Sequence, residues 1–389
     1  MRETRDYELT ANVSLAALLE PQAELASAEE RLLWQCARVT LTDASRAEIQ
    51  RLGVGLDAAG WAHVATLAER NGVENLLFTQ IAAVGLLAAL PEPVALRLRE
   101  RYGAVTLTAR RLERRLEALL PLLEQAGASV IPLKGVRLAR RAYGGVISLR
   151  PVTDIDVLAR GDDDTRWRAA FQAAGLAPVA GRGDAQSGHA LRFRELQFRD
   201  ASGLLVEAHL TLCRHPAYRR AFPQAEIWSR AQPARVHGVR ALALAEEDEL
   251  RYLSLHYAAQ HQASRLIWLV DVAELLRRRG TAFPWERFVD ETIARRIAAP
   301  VAITLLRART LLDAPAPHWA CARLKEAALT AAERQAWADS QAPMRNWRRF
   351  LAQTLTLDSP VDRLRLLRSG GASLARRLRR SRENGSAPR

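Results

Sequence analysis

Apolar residues recur every three or four positions from about residue 15 to residue 119, most regularly over 27–38, 58–71 and 73–89. That stripe predicts amphipathic helices. Pro91 and Pro93 punctuate, and 94–124 reads as one or two long helices with an arginine-rich outer face. The period then changes. Residues 129–133 read as a short apolar strand, 136–143 as a short helix closed by Gly144 and Gly145, and 154–159 as a second strand. The acidic run 162–164 opens a helix to Ala174, its charges complementing the helix dipole. Residues 191–198 and 204–212 predict a hairpin turning at 200–203, and 239–244 a further strand. Helical periodicity returns at Glu246, runs to about Leu312 and continues over 319–357, with breaks at Gly280, Pro284, Pro315 and Pro317. The chain is thus α+β. We expect an N-terminal helical region over 1–111, an α/β unit over 112–245, a C-terminal helical domain over 246–368 and a basic mobile tail over 369–389, with a short amphipathic helix at 374–380.

Composition narrows the class. With 389 residues and 49% apolar content the chain can bury a sizeable core. A net charge of +14 invites a nucleic-acid or anionic-surface reading. Part of that charge is local, because Glu383 is the only acid among the arginines of 363–389. Cys36, Cys213 and Cys321 lie far apart, without metal-ligand spacing, and read as buried thiols of a reducing compartment. Residues 1–7 are charged with no apolar run after them, and no stretch approaches the length of a membrane span. The expectation is a cytoplasmic protein with no transmembrane segment.

The chemistry is concentrated in the middle. Asp154 and Asp156 project from one face of an apolar strand, about 7 Å apart along the backbone. Two such carboxylates repel unless a cation sits between them, and hard oxygen donors point to Mg²⁺ at a nucleotide phosphate. Ile155, Val157 and Leu158 weigh against the plainer reading of a solvated strand end. The chain has two lysines, and one of them, Lys134, stands beside Gly135 in the turn that should face the aspartates. A compact ammonium there suits phosphate, although a lone glycine also fits an ordinary strand-to-helix turn. A metal site needs a third acid, and Glu207 on the hairpin is the candidate, against its alternative as the polar face of that hairpin. His209 is either bonded to Glu207 or a participant. Arg150, held extended by Pro151, would contact phosphate or be a surface arginine. His256 and Asp271 read as a helix-packing polar pair or as supporting residues around the site.

Taken together, Leu133-Lys134-Gly135, Tyr143, Leu149-Arg150, the strand from Asp154 to Leu158, and Glu207-Ala208-His209 resemble the DNA polymerase β-type nucleotidyltransferase superfamily, and within it a largely uncharacterised bacterial branch. His256 and Asp271 resemble that branch's helix-borne histidine and downstream aspartate. The likeness covers roughly residues 115–280. Two features depart from the superfamily pattern: Val136, not serine, follows Gly135, and the third acid is glutamate. The resemblance implies a small mixed-sheet domain, two Mg²⁺ ions and NTP as co-substrate, with Asp154, Asp156 and Glu207 catalytic and metal-binding. It also implies nucleotide contacts from Lys134, Gly135 and Arg150. The implied reaction moves a nucleoside monophosphate to a small-molecule, peptide or protein acceptor. The alternative is a nucleic-acid-binding or protein-interaction protein with a degenerate transferase domain; the presence of all three acids favours the transferase, and the basic tail, without interleaved aromatics, suits anionic lipid headgroups equally.

Overall fold

The computed structural model describes residues 15–21, 26–160, 164–180, 182, 194–236, 238–279 and 282–341, with 354, 360–361 and 363–368 beyond them. The expected tail over 369–389 and its helix at 374–380 lie outside the described residues.

The N-terminal region is helical, as its periodicity predicts: α1 (Leu15–Leu18), α2 (Ala28–Cys36), α3 (Asp43–Val54), α4 (Ala58–Asn71), α5 (Glu74–Ala83) and α6 (Glu92–Gln125). Local chemistry sets the boundaries. Ser27 and Glu30 form a reciprocal capping box at α2, and the side chains of Thr42 and Asp57 accept backbone N–H groups at α3 and α4. Helix α6 is continuous over 34 residues, about 50 Å, and carries Pro121 inside it. Burial of Ala109, Leu112, Leu116, Leu119, Leu120 and Leu123 along one stripe outweighs the proline.

The middle of the chain builds β1 (Val130–Pro132), α7 (Lys134–Ala142), β2 (Asp154–Ala159), α8 (Asp164–Ala173), β3 (Ala177–Pro178), β4 (Glu195–Arg199) and β5 (Leu205–His209). The sheet order is β1-β2-β5-β4-β3, with β2 and β5 parallel and the other pairs antiparallel. Side chains alternate across it with period two. Ile155, Val157, Val206, Ala208, Leu196 and Phe198 pack with α6 and α8 in one apolar core. The opposite face therefore receives Asp154, Asp156, Glu207, His209, Glu195 and Gln197.

Helices α9 (Pro216–Arg219) and α10 (Gln224–Arg230) precede a separate two-stranded ribbon of β6 (Gln232–Val236) and β7 (Val239–Ala243). Strand β7 matches the expected strand at 239–244, whereas β6, with Pro233 in it, carries no strand signal. The C-terminal helices are α11 (Glu246–Leu255), α12 (Leu266–Arg279), α13 (Trp285–Ala294), α14 (Ala298–Leu312), α15 (His318–Ala328) and α16 (Ala331–Gln341). Helix α11 widens into a π-helical turn at His256–Gln260. These helices share one apolar cluster with α2–α5, and Leu158 of β2 joins it. The polar face of the sheet is thus turned toward the C-terminal helices. Ion pairs of Arg137 and Arg141 in α7 with Glu249 in α11 bind the two parts together.

Candidate active site

The site grows from the register of β2 against β5. Asp156 pairs with Glu207 and Leu158 with His209, so neighbouring side chains on one face are Asp154, Asp156, Glu207 and His209. Ligand atoms of Asp156, Glu207 and His209 lie within 4.8 Å of one another. His209 Nε2 is 2.7 Å from Asp156 Oδ1 and 3.8 Å from Glu207 Oε2. Asp154 shares the face but stands outside that tight group, so the three acids read from the sequence lie on one face with the imidazole more central than Asp154.

The carboxyls of this face differ in acidity: Asp156 is buried, Asp154 and Glu207 half-buried. Burial opposes ionisation of Asp156, but Lys134 and His209 hold its carboxyl well below the usual range. Asp154 rises to about 6 and Glu207 to about 7; burial drives both, joined by Asp156 for the first and by Glu195 for the second. His209 is pushed up despite burial, by its hydrogen bond to Asp156 and by nearby glutamates. Its Nε2 therefore donates to Asp156 Oδ1. Asp156 Oδ2 makes no hydrogen bond among the described residues and lies 3.3 Å from Lys134 Nζ.

The turn after β1 delivers that lysine. Leu133 N donates to Asp156 O at 2.9 Å, fixing the turn on β2. Gly135 has φ +53° and ψ −134°, a conformation that only glycine adopts without strain. A Cβ there would stand 3.8 Å from Asp154 O. Lys134 Nζ is 3.0 Å from His256 Nε2. An ammonium only donates, so His256 accepts and is neutral. Burial, Lys134 and His261 all keep its pKa well below the usual value.

Arg150 and Asp271 are paired with each other. Arg150 Nε and Nη2 donate to the two oxygens of Asp271 at 2.7 and 2.8 Å, and Tyr143 hydroxyl donates to Asp271 at 2.7 Å. All three are buried. A guanidinium paired edge-on in this way holds the loop before β2 against α12 through its Nε and Nη2.

Three residues of the site carried no separate notice in the sequence. Gln197 Nε2 donates to Glu207 Oε1 at 2.9 Å and to Glu195 Oε1 at 3.0 Å. Glu195 Oε2 accepts from Arg214 Nη1 at 2.9 Å and lies 3.8 Å from His209 Nδ1. The alternation Glu195-Leu196-Gln197-Phe198 was a readable signal, since it puts both polar residues on the face of Glu207.

The donor set suits a divalent cation: the buried Asp156 Oδ2 faces Lys134 Nζ at 3.3 Å, the Glu207 and Asp154 carboxyls share its face, and an imidazole stands adjacent. No helix of the described residues is long and apolar enough to cross a membrane. No curated protein matches the chain. A family of uncharacterised nucleotidyltransferases matches residues 57–313, more than half of the chain and well beyond the span of the sequence motifs. The chain belongs to this uncharacterised nucleotidyltransferase family.

Proposed function

We propose that the protein transfers a nucleoside monophosphate from a nucleoside triphosphate to an acceptor hydroxyl of a small molecule, peptide or protein, releasing pyrophosphate. The observation that carries this reading is the lateral pairing of Asp156 with Glu207 on parallel strands, beside His209 and on the face of Asp154. Gly135 lets the backbone approach the triphosphate, and the first N–H groups of α7 meet its charge. Lys134, and Arg214 beside Glu195, offset phosphate charge, while Arg150 fixes the loop leading into β2.

Asp154, Asp156 and Glu207 would hold Mg²⁺, as one ion or as a pair. Bound there, the metal neutralises phosphate charge and lowers the pKa of the attacking hydroxyl. Glu207, with Oε1 held by Gln197, accepts the acceptor's proton. The acceptor oxygen bonds to the α-phosphorus, the bond from that phosphorus to the bridging oxygen breaks, and its electron pair leaves on pyrophosphate.

The test is to supply each NTP labelled at either the α- or the γ-phosphate, with Mg²⁺ and a panel of acceptors including the protein itself. Transfer of the α label alone, absent in Asp156→Asn, is the expected result. Transfer of the γ label would assign a kinase instead, and transfer by Asp156→Asn equal to wild type would remove the site from the reaction.

A further inference from the structure

Beside Lys134 lies a group of rings that the transfer chemistry does not use. His261 and Trp268 stack with centroids 3.9 Å apart and planes 28° from parallel. His256, whose Nε2 holds Lys134, meets both edge-on, at 4.5 Å from His261 and 5.2 Å from Trp268. The Arg265 guanidinium lies 5.7 Å from the Trp268 ring centre. His261 and Trp268 are half-buried and Arg265 is exposed, so the stack borders solvent.

The segment that presents these residues is unusual in its backbone. It leaves α11 through the π-helical turn His256–Gln260, and Gln262 and Ala263 then take φ of +52° and +55° without being glycines. Wide turns and left-handed side-chain-bearing residues persist where surrounding contacts enforce them, and they concentrate at functional sites. Those contacts are visible. Gln260 Nε2 donates to Leu212 O, just past β5, at 3.2 Å, and Leu266 N donates to Asn71 Oδ1, from the end of α4, at 3.0 Å. The stack is therefore fixed from both sides before any ligand arrives.

We propose that His261, Trp268 and Arg265 form the platform on which the nucleobase of the triphosphate stacks. This rests on reading the acid cluster as the phosphate site. A base is a flat π-system that stacks on aromatic and guanidinium faces whatever its hydrogen-bonding edge. His256 links the two halves of the ligand site, since one ring nitrogen holds the cation meant for phosphate while the ring itself packs on the platform.

Binding of Mg-ATP and of Mg-tripolyphosphate to the full-length protein separates the base from the phosphates. Wild type is expected to bind ATP more tightly than tripolyphosphate. Trp268→Leu and His261→Leu should each weaken ATP about tenfold or more, leaving tripolyphosphate within about twofold. Trp268→Phe, which keeps a ring, should retain most of the ATP affinity. Equal loss for both ligands, or no loss for ATP, overturns the platform while leaving the phosphate site standing. Failure of wild type to bind even tripolyphosphate overturns both readings. Tripolyphosphate binding also reports that each variant is folded at the site.

Discussion

Glu207 and Asp154 carry the strongest expectation at the scale of single residues, because both titrate near neutrality. Their pKa values rise to about 7 and about 6 under burial and the pressure of neighbouring carboxylates. A bound cation must displace those protons, so apparent Mg²⁺ or Mn²⁺ affinity should fall as pH drops from 8 to 6. Isothermal titration across that range checks it, and a flat profile would contradict it. Linkage in the cation-free protein has the opposite sign. The folded state keeps two protons that the unfolded chain loses in the ordinary carboxylate range, so these groups favour the fold most in acid, and the contribution is lost as pH rises through 6 and 7. Gly135 is limited by backbone alone, because a Cβ would clash with nothing. Gly135→Ala should destabilise by about 1–3 kcal/mol, read from denaturant unfolding. His209→Leu removes the donor that orients Asp156 and should lower metal affinity by about 10–100-fold.

Between elements, the buried contact of Arg150 with Asp271 and Tyr143 joins the entry to β2 with helix α12. Removing one partner strands a buried charge. Arg150→Met alone should therefore destabilise by about 3–5 kcal/mol, and Arg150→Met with Asp271→Leu should recover most of that loss. Equal losses in the single and double variants would show that the pair does not act as a unit. The strands that hold the acids were legible because their apolar positions alternate with single polar residues, as in Asp154-Ile155-Asp156-Val157 and Glu207-Ala208-His209. Their parallel register was not, since the intervening connection of more than forty residues leaves pairing to tertiary packing. The pairing of Arg150 is not legible for the same reason: its partner stands 121 positions away on a helix, and nothing local distinguishes it from other arginines. Strand β6 escaped notice because Pro233 and Arg235 suit an exposed edge, whose pairing comes from β7.

Across the whole molecule, the helices on either side of the sheet act as one support. Helices α2–α5 and α11–α16 contribute to a common apolar cluster, and α7 is tied to α11 by Arg137 and Arg141. The division at residues 111 and 245 suggested by periodicity therefore crosses shared packing, which no pattern along the chain reveals. A fragment of residues 112–245 should lack the dispersed amide spectrum of a folded protein, whereas the full chain shows it. The same closure reaches the polar face of the sheet through Lys134, whose Nζ lies 3.3 Å from Asp156 Oδ2 and 3.0 Å from His256 Nε2. The net charge of +14 does not enter this geometry, and it bears on association with anions more than on fold.

Manganese binding followed by electron paramagnetic resonance tests the acid cluster most directly, because free and protein-bound Mn²⁺ give different signals and no acceptor is required. At pH 8 the wild-type protein should remove free Mn²⁺ from solution with saturable stoichiometry, Mg²⁺ should compete, and Asp156→Asn and Glu207→Gln should each lose that binding while keeping the dispersed amide spectrum of a folded protein. Retention of the manganese by both variants, or none taken up by the wild-type protein, would contradict the assignment of these paired strands as a cation site.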